Sequence, residues 1–195
     1  MISHAHKFLY IHVPKTAGSS LQHVLFPHSD NTKFIKPHHD GVERFELRDE
    51  ADPRLNKHAK LRLYYEVYGT RIHGYFKFAF MRNPYAKIVS RYFSPHRNIE
   101  AFDPDSFATF VARTPPLEAY VLAAPSDPPL DEICRFEDLG DVYPKLMERL
   151  RLPTVDLPIH NKGDARDYRD YFTKQTRSVV EERHAFEISL GGYEF

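Results

Sequence analysis

The chain has 195 residues, a length at which one domain buries a sizeable core without disulfide or metal support. Lys plus Arg and Asp plus Glu both number 27, and this zero net charge argues against bulk nucleic acid or an anionic membrane as the main partner. A single cysteine, Cys134, excludes an intramolecular disulfide framework and a multi-cysteine zinc site.

Strands and helices alternate in the first half of the predicted structure. Residues 8–13 form an aromatic and β-branched run typical of a buried strand, and residues 19–25 have helical apolar spacing. Residues 27–41 predict a loop, and residues 42–48 and 55–68 predict helices. The most strand-like run covers residues 75–81, and a helix over residues 85–93 follows Pro84.

The second half predicts short helices, one strand and no linker. Helices are expected over residues 107–113, 117–123, 142–150 and 173–185, and a third strand over residues 133–136. We therefore expect a single domain over residues 1–195, of the α/β class, with a small, mainly parallel sheet flanked by helices. No stretch reads as a signal peptide or a transmembrane helix, so a cytoplasmic protein is expected.

The loop after the first predicted strand is the first candidate functional segment, with the sequence HVPKTAGSS over residues 12–20. A loop that leaves a strand and enters a helix directs unpaired backbone N–H groups to one point, where the helix dipole adds positive charge. Gly18 permits close approach to the backbone, three hydroxyls offer donors, and Lys15 adds a full cation. The loop predicts a phosphate or sulfate site; a plain serine-capped helix is the alternative.

A second strand-to-helix turn has the sequence FAFMRNP over residues 78–84. Arg82 stands where a buried strand emerges, and its guanidinium is suited to bind a phosphate through two parallel hydrogen bonds. Ser90 lies two turns into the following helix, on roughly the same face as Asn83. The alternative reading gives Arg82 a strand-end ion pair and Ser90 a packing role. Together the two turns predict a clamp for a ligand with phosphates at both ends.

These two turns, with their flanking residues, resemble known nucleotide motifs. HVPKTAGSS and the segment FMRNPYAKIVSRY over residues 80–92 resemble the 5′-phosphosulfate loop and the 3′-phosphate site of sulfotransferases. Such enzymes use 3′-phosphoadenosine 5′-phosphosulfate (PAPS), and the likeness is to the carbohydrate and membrane-associated branch with its small bacterial members. It extends to CRFEDL at residues 134–139, HNK at 160–162 and GGYEF at 191–195.

The resemblance implies a P-loop-like three-layer fold and a set of site residues. It implies transfer of a sulfuryl group from PAPS to a hydroxyl of a carbohydrate or other small metabolite, without a metal. Lys15 would stabilise the charge that grows on the leaving phosphate oxygen, in keeping with electrostatic catalysis. The residues implied to hold the nucleotide are Lys15, Thr16, Ala17, Gly18, Ser19, Ser20, Arg82 and Ser90.

The proton acceptor is expected between the two turns. Related small sulfotransferases carry a histidine a few residues ahead of a small residue and a glutamate, which places His38 at that position. His39 and Glu43 are the alternatives, because the family usually has lysine where this chain has Pro37. Arg135 and Glu137 are expected to form structural ion pairs.

Two other functions stay open at this point. An ATP-dependent P-loop kinase would need a Walker A loop, in which the lysine follows the glycines, whereas here Lys15 precedes Gly18. A non-catalytic module that binds the nucleotide is the second alternative. The sequence does not identify the acceptor or the oligomeric state.

Overall fold

The computed structural model describes residues 1–36, 44–94, 97, 99, 101–158 and 167–195. In this part of the chain the strands are β1 (Ile2–Ser3), β2 (Phe8–Ile11), β3 (Asn31–Lys36), β4 (Arg44–Asp49), β5 (Phe76–Met81) and β6 (Glu132–Arg135). The helices are α1 (Gly18–Leu25), α2 (Leu61–Tyr68), α3 (Pro84–Tyr92), α4 (Pro104–Arg113), α5 (Glu118–Val121), α6 (Leu139–Arg149), α7 (Lys174–Arg183) and α8 (Ala185–Gly191). Short 3-10 helices lie at Phe26–His28, Gly69–Ile72, Phe136–Asp138 and Tyr168–Tyr171.

The main sheet has the strand order β1-β2-β5-β6, and its three longer strands are parallel. Residues 8–11 are buried throughout, as are residues 77–81, which is typical of parallel strands covered on both faces. Lys77 is the exception to the apolar pattern. Its ammonium donates to the carbonyls of His73 and Tyr75 and lies 3.6 Å from the Asp131 carboxylate.

Helices cover both faces of this sheet because alternate strand residues point to opposite sides. On one side, Leu9 and Ile11 pack into a core that includes α2 and α5. On the other, Phe8 and Tyr10 pack against residues of α1 and α6. This arrangement confirms the predicted α/β fold with a small, mainly parallel sheet between helical layers. Among the helices of the described residues, none combines the length and hydrophobicity needed to cross a bilayer.

The segment between α1 and α2 differs from the sequence prediction. Residues 31–36 were expected in a loop and residues 42–48 in a helix, but β3 and β4 form a separate antiparallel hairpin from Asn31↔Asp49 to Lys36↔Arg44. The helical interpretation was wrong over residues 44–48, where Phe45 and Leu47 alternate with charged residues and alternation of period two favours a strand; residues 42 and 43 lie outside the described residues.

The helix expected over residues 55–68 begins only at Leu61. The preceding residues form turns instead. Asn56 bridges to Arg48 of β4, and its side chain accepts a hydrogen bond from the backbone of His58. Such side-chain to backbone bonds compete with helix formation, so the turn replaces the first part of the expected helix.

Helices α3, α4 and α7 pack around a third, largely aromatic cluster. Its buried members are Tyr85, Ile88, Tyr92, Phe107, Val111, Tyr171 and Val180.

A buried charge network lies between α3 and α8. The Lys87 ammonium is 2.7 Å and 2.5 Å from the two carboxylate oxygens of Glu187, which also contacts the His184 ring. The side chains of Lys87 and Glu187 are 4% and 0% exposed. The C-terminal helices are thus tied to α3 by charge as well as by apolar contact.

Replacement of Glu187 by leucine should lower the free energy of unfolding by about 3–5 kcal/mol, because it leaves the desolvated Lys87 ammonium without a counter-charge. Urea unfolding measures this loss. The matched control is Glu181→Ala, which breaks the Arg177–Glu181 pair, whose side chains are both 46% exposed, and should lower the free energy of unfolding far less.

The double variant Lys87→Met/Glu187→Leu should be more stable than Glu187→Leu, because it removes the buried charge as well as its partner. If Glu187→Leu costs no more than the surface control, the network does not hold α8 on α3.

Candidate active site

The loop between β2 and α1 lies at the carboxyl edge of the sheet. The Thr16 hydroxyl donates to the carbonyl of Val13 at 2.8 Å, and the Leu21 amide donates to the carbonyl of Ala17 at 3.1 Å, which opens the helix. Lys15 and Ala17 both have left-handed φ angles, of 70° and 61°. Each such non-glycine residue costs about 1–3 kcal/mol, so the surrounding structure must hold the loop in this shape.

The backbone conformation of this loop is one that can accept an anion. From Ala17 to Gly18 the backbone changes from the left-handed conformation to the first residue of α1. This change aims successive N–H groups at one point and forms the concave anion site called a nest. The N-terminus of α1 adds its partial positive charge at the same place.

The hydroxyls expected to bind the ligand have different surroundings. Thr16 is fully buried and donates its proton within the loop, as described above. The Ser20 hydroxyl donates to the carbonyl of Pro158 at 2.6 Å, while Ser19 is exposed. A hydroxyl has one proton, so Thr16 and Ser20 use theirs on protein carbonyls. Among the described residues, the exposed Ser19 hydroxyl and the backbone N–H groups at the start of α1 can donate to an anion, and the half-buried Lys15 adds a positive charge to the same loop.

The second turn follows β5. Asn83 caps α3, since its side-chain oxygen accepts hydrogen bonds from the backbone of Tyr85 and Ala86, at 3.0 Å and 3.2 Å. Pro84 occupies the first helical turn, where its missing N–H costs no helical hydrogen bond. This local chemistry ends the strand at Met81 and leaves Arg82 between the strand and the helix.

Arg82 points toward the first loop. Its Nη1 donates to the carbonyl of Lys15 at 3.3 Å, and its guanidinium carbon lies 4.7 Å from the centre of the Phe136 ring. Burial lowers the pKa of Arg82, and the nearby Glu137 carboxylate opposes this shift. Among the described residues, the guanidinium makes this one hydrogen bond of the five that it offers. The remaining donors, on a cation partly removed from water, suit an anionic ligand.

Glu137 supports the second turn from the side. One carboxylate oxygen accepts a hydrogen bond from the backbone N–H of Asn83 at 2.8 Å, and the other accepts one from the Tyr193 hydroxyl at 2.7 Å. Burial and this hydrogen bond raise the pKa of Tyr193, which keeps its hydroxyl protonated as a donor. The ion pair expected for Arg135 is present, with Asp138 at 3.5 Å. Glu137 in addition accepts the hydrogen bonds that hold the turn and the C-terminal segment, a role that the expectation of an ion pair did not include.

The predicted site residues are thus partly brought together. Residues 15–20 and Arg82 meet at one edge of the sheet, and Ser90 is half-buried in the second half of α3. His38, His39 and Glu43 lie outside the described residues, so the predicted base stays a prediction. His160, Asn161 and Lys162 also lie outside them. Within the described ranges, no three His, Cys, Asp or Glu side chains form a cluster able to hold a metal ion.

Two features of this site were not predicted. The Tyr193–Glu137 contact joins segments 56 residues apart, and no spacing in the sequence indicates that they meet, although both lie in segments that carry the family resemblance. The second feature is the ring of His12, which stands against the backbone of Gly18. Its place in the motif HVPKTAGSS marked it as part of the loop but gave it no role.

The family of this chain follows from comparison with known proteins. The protein-family model described as "Sulfotransferase family" matches residues 1–150 of this chain, and these residues include both turns and all strands of the main sheet. No curated protein and no solved structure matches the chain. The family match covers more than half of the 195 residues, so this chain belongs to the sulfotransferase family.

Proposed function

We propose that this protein transfers a sulfuryl group from PAPS to a hydroxyl of a carbohydrate or another small metabolite. The observation that supports this most is the 3.3 Å contact between the Arg82 guanidinium and the Lys15 carbonyl. It brings an anion-binding loop and a partly desolvated cation within the span of one nucleotide. A ligand with phosphates at both its 3′ and 5′ positions fits two such sites better than a nucleotide with a single phosphate chain does.

The residues divide between the two ends of the donor. The backbone N–H groups at the start of α1, with Ser19 and Lys15, would hold the 5′-phosphosulfate. Arg82 would bind the 3′-phosphate through its guanidinium, with Ser90 as a second donor. Thr16 and Ser20 would take part through their backbone N–H groups, because their hydroxyl protons are used within the protein.

Direct in-line transfer needs two chemical roles from this chain. PAPS supplies the activated sulfuryl group. As the acceptor oxygen bonds to sulfur and the bond from sulfur to the bridging phosphate oxygen breaks, Lys15 neutralises the negative charge that grows on that oxygen. His38 takes the proton of the acceptor hydroxyl, with His39 and Glu43 as the alternatives.

The proposal extends to the whole chain. The family match ends at residue 150, but α7 and α8 pack on α3 and Tyr193 reaches the second turn, which supports one domain over residues 1–195. The cytoplasmic location inferred from the sequence stays a prediction.

Adenosine 3′,5′-bisphosphate should raise the thermal unfolding midpoint more than ATP with Mg²⁺ does, because only the bisphosphate places an anion at both sites. At 100 times its dissociation constant, a ligand contributes about 2.7 kcal/mol, which a thermal shift assay resolves. Adenosine 5′-phosphate is the matched control, since it lacks the 3′-phosphate. Preferential stabilisation by ATP with Mg²⁺ would favour a kinase instead.

Arg82→Lys should weaken bisphosphate binding by about tenfold or more, because lysine keeps the charge but loses the paired donors, which are worth about 1.5–3 kcal/mol. Isothermal titration calorimetry measures the change. Arg177→Lys, an exposed arginine of α7, is the control and should leave binding unchanged. Adenosine 5′-phosphate should bind Arg82→Lys and the unaltered protein equally; if it loses as much affinity, Arg82 does not read the 3′-phosphate.

Lys15→Ala and His38→Ala should each lower kcat by about 10²-fold or more, because one removes charge stabilisation and the other removes the proton acceptor. Transfer of labelled sulfate to a panel of hydroxyl acceptors gives the rates. His28→Ala, in the 3-10 helix after α1, is the control. Unchanged turnover in either variant, with bisphosphate still bound, refutes that residue's role while leaving the family assignment intact.

A further inference from the structure

The side chain that requires a glycine at position 18 is the ring of His12. A Cβ atom built on Gly18 would lie 1.6 Å from His12 Nε2 and 1.9 Å from its Cδ2. No real contact is that short, so any other residue at this position would have to displace the ring. The φ angle of Gly18 is not positive, so the backbone conformation itself accepts an L-residue. The glycine is explained by close approach of the ring and not by backbone geometry.

The His12 ring has little room to move away. It is 6% exposed, with ring centroids 4.5 Å from His58 and 6.1 Å from Tyr10. The His58 Nδ1 is also 3.2 Å from the His12 carbonyl, so the turn before α2 holds both the ring and the backbone of this residue. Burial, followed by the charges of His58 and Lys57, lowers the pKa of His12 well below its ordinary value. The ring is therefore a neutral, fixed block behind the loop.

The loop in front of this ring needs such a support. Lys15 and Ala17 hold left-handed conformations, which persist only where neighbouring groups determine them. The Thr16 hydroxyl fixes the loop toward β2, and Arg82 contacts it from the second turn. His12 contacts it at Gly18, the first residue of α1, where the successive N–H groups of the nest begin.

We infer that His12 is a positioning residue of the 5′-phosphosulfate loop: its ring, packed against Gly18, sets the place of the first turn of α1 and of the N–H groups that bind the anion. The inference rests on the proposed function for the identity of the ligand. His12 touches no reacting atom and acts through the backbone of Gly18. The ring and residue 18 compete for the same space. A larger residue at position 18 should therefore be tolerated when residue 12 is made smaller.

A double-mutant cycle tests this fit, with binding of adenosine 3′,5′-bisphosphate measured by calorimetry and stability by urea unfolding. Gly18→Ala should weaken binding by about tenfold, because the new methyl group displaces the ring and with it the loop. His12→Ala should weaken binding by a smaller factor, since it leaves the loop unsupported. The double variant His12→Ala/Gly18→Ala should bind more tightly than Gly18→Ala, because the methyl group occupies the space that the ring has left.

Two controls define what the cycle reports. Gly140→Ala adds a methyl group in α6 where no atom lies within 4 Å, and should leave binding unchanged without lowering stability. Binding is measured at a temperature at which every variant is folded, so a purely structural role would lower the urea midpoint and leave the affinity of the folded protein unchanged. If His12→Ala does not fold, His12→Val replaces it, since a β-branched residue suits a buried position directly after a strand.

The outcomes separate the inference from the proposed function. Rescue of bisphosphate binding in the double variant supports the positioning role. Affinity in the double variant as low as in Gly18→Ala overturns it, and assigns the glycine to close approach of the ligand. The positioning role is also overturned if all variants of residues 12 and 18 bind the bisphosphate as tightly as the unaltered protein does. Failure of the unaltered protein to bind bisphosphate refutes the proposed function, and the urea midpoints still report whether residues 12 and 18 are coupled.

Discussion

The parallel pairing of β2 with β5 is the constraint on which the rest of the structure depends. The register pairs Ile11 with Ala79, so the two strands end at the same edge of the sheet and the loops after them must be neighbours. Ligand sites of open α/β sheets lie at this carboxyl edge. The contact between Arg82 and the Lys15 carbonyl follows from that register, although 67 residues separate the two in the chain.

The first loop achieves its shape by internal contacts that are independent of any ligand. Thr16 and Ser20 donate to protein carbonyls, and the ring of His12 stands behind Gly18. A site whose donors are already oriented does not pay for ordering them when the ligand arrives. The strained backbone at Lys15 and Ala17 therefore lowers the free energy of unfolding, whereas the oriented donors raise the affinity for the ligand.

The sequence was sufficient for the three parallel strands of the main sheet and for both turns, because apolar runs and strand-to-helix loops are local patterns; it did not predict the short strand β1. It failed for the β3–β4 pair, where the period-two alternation of β4 covers only a few residues and was read as a helix, and for the start of α2, where the Asn56 side chain accepts a hydrogen bond from the backbone instead. The hydrogen bonds of Glu137 were not predicted because its partners, Asn83 and Tyr193, are distant in sequence. Contacts of this kind depend on tertiary structure and leave no periodic trace.

The buried charge network of Lys87, Glu187 and His184 has a practical consequence for anyone who wishes to shorten this protein. The family match ends at residue 150, yet the carboxylate that neutralises Lys87 comes from α8. A fragment trimmed to the matched region would keep the ammonium without its counter-ion and would expose the aromatic rings that α7 covers. Domain boundaries for recombinant expression should therefore be drawn beyond Tyr193, where the last contact with Glu137 is made.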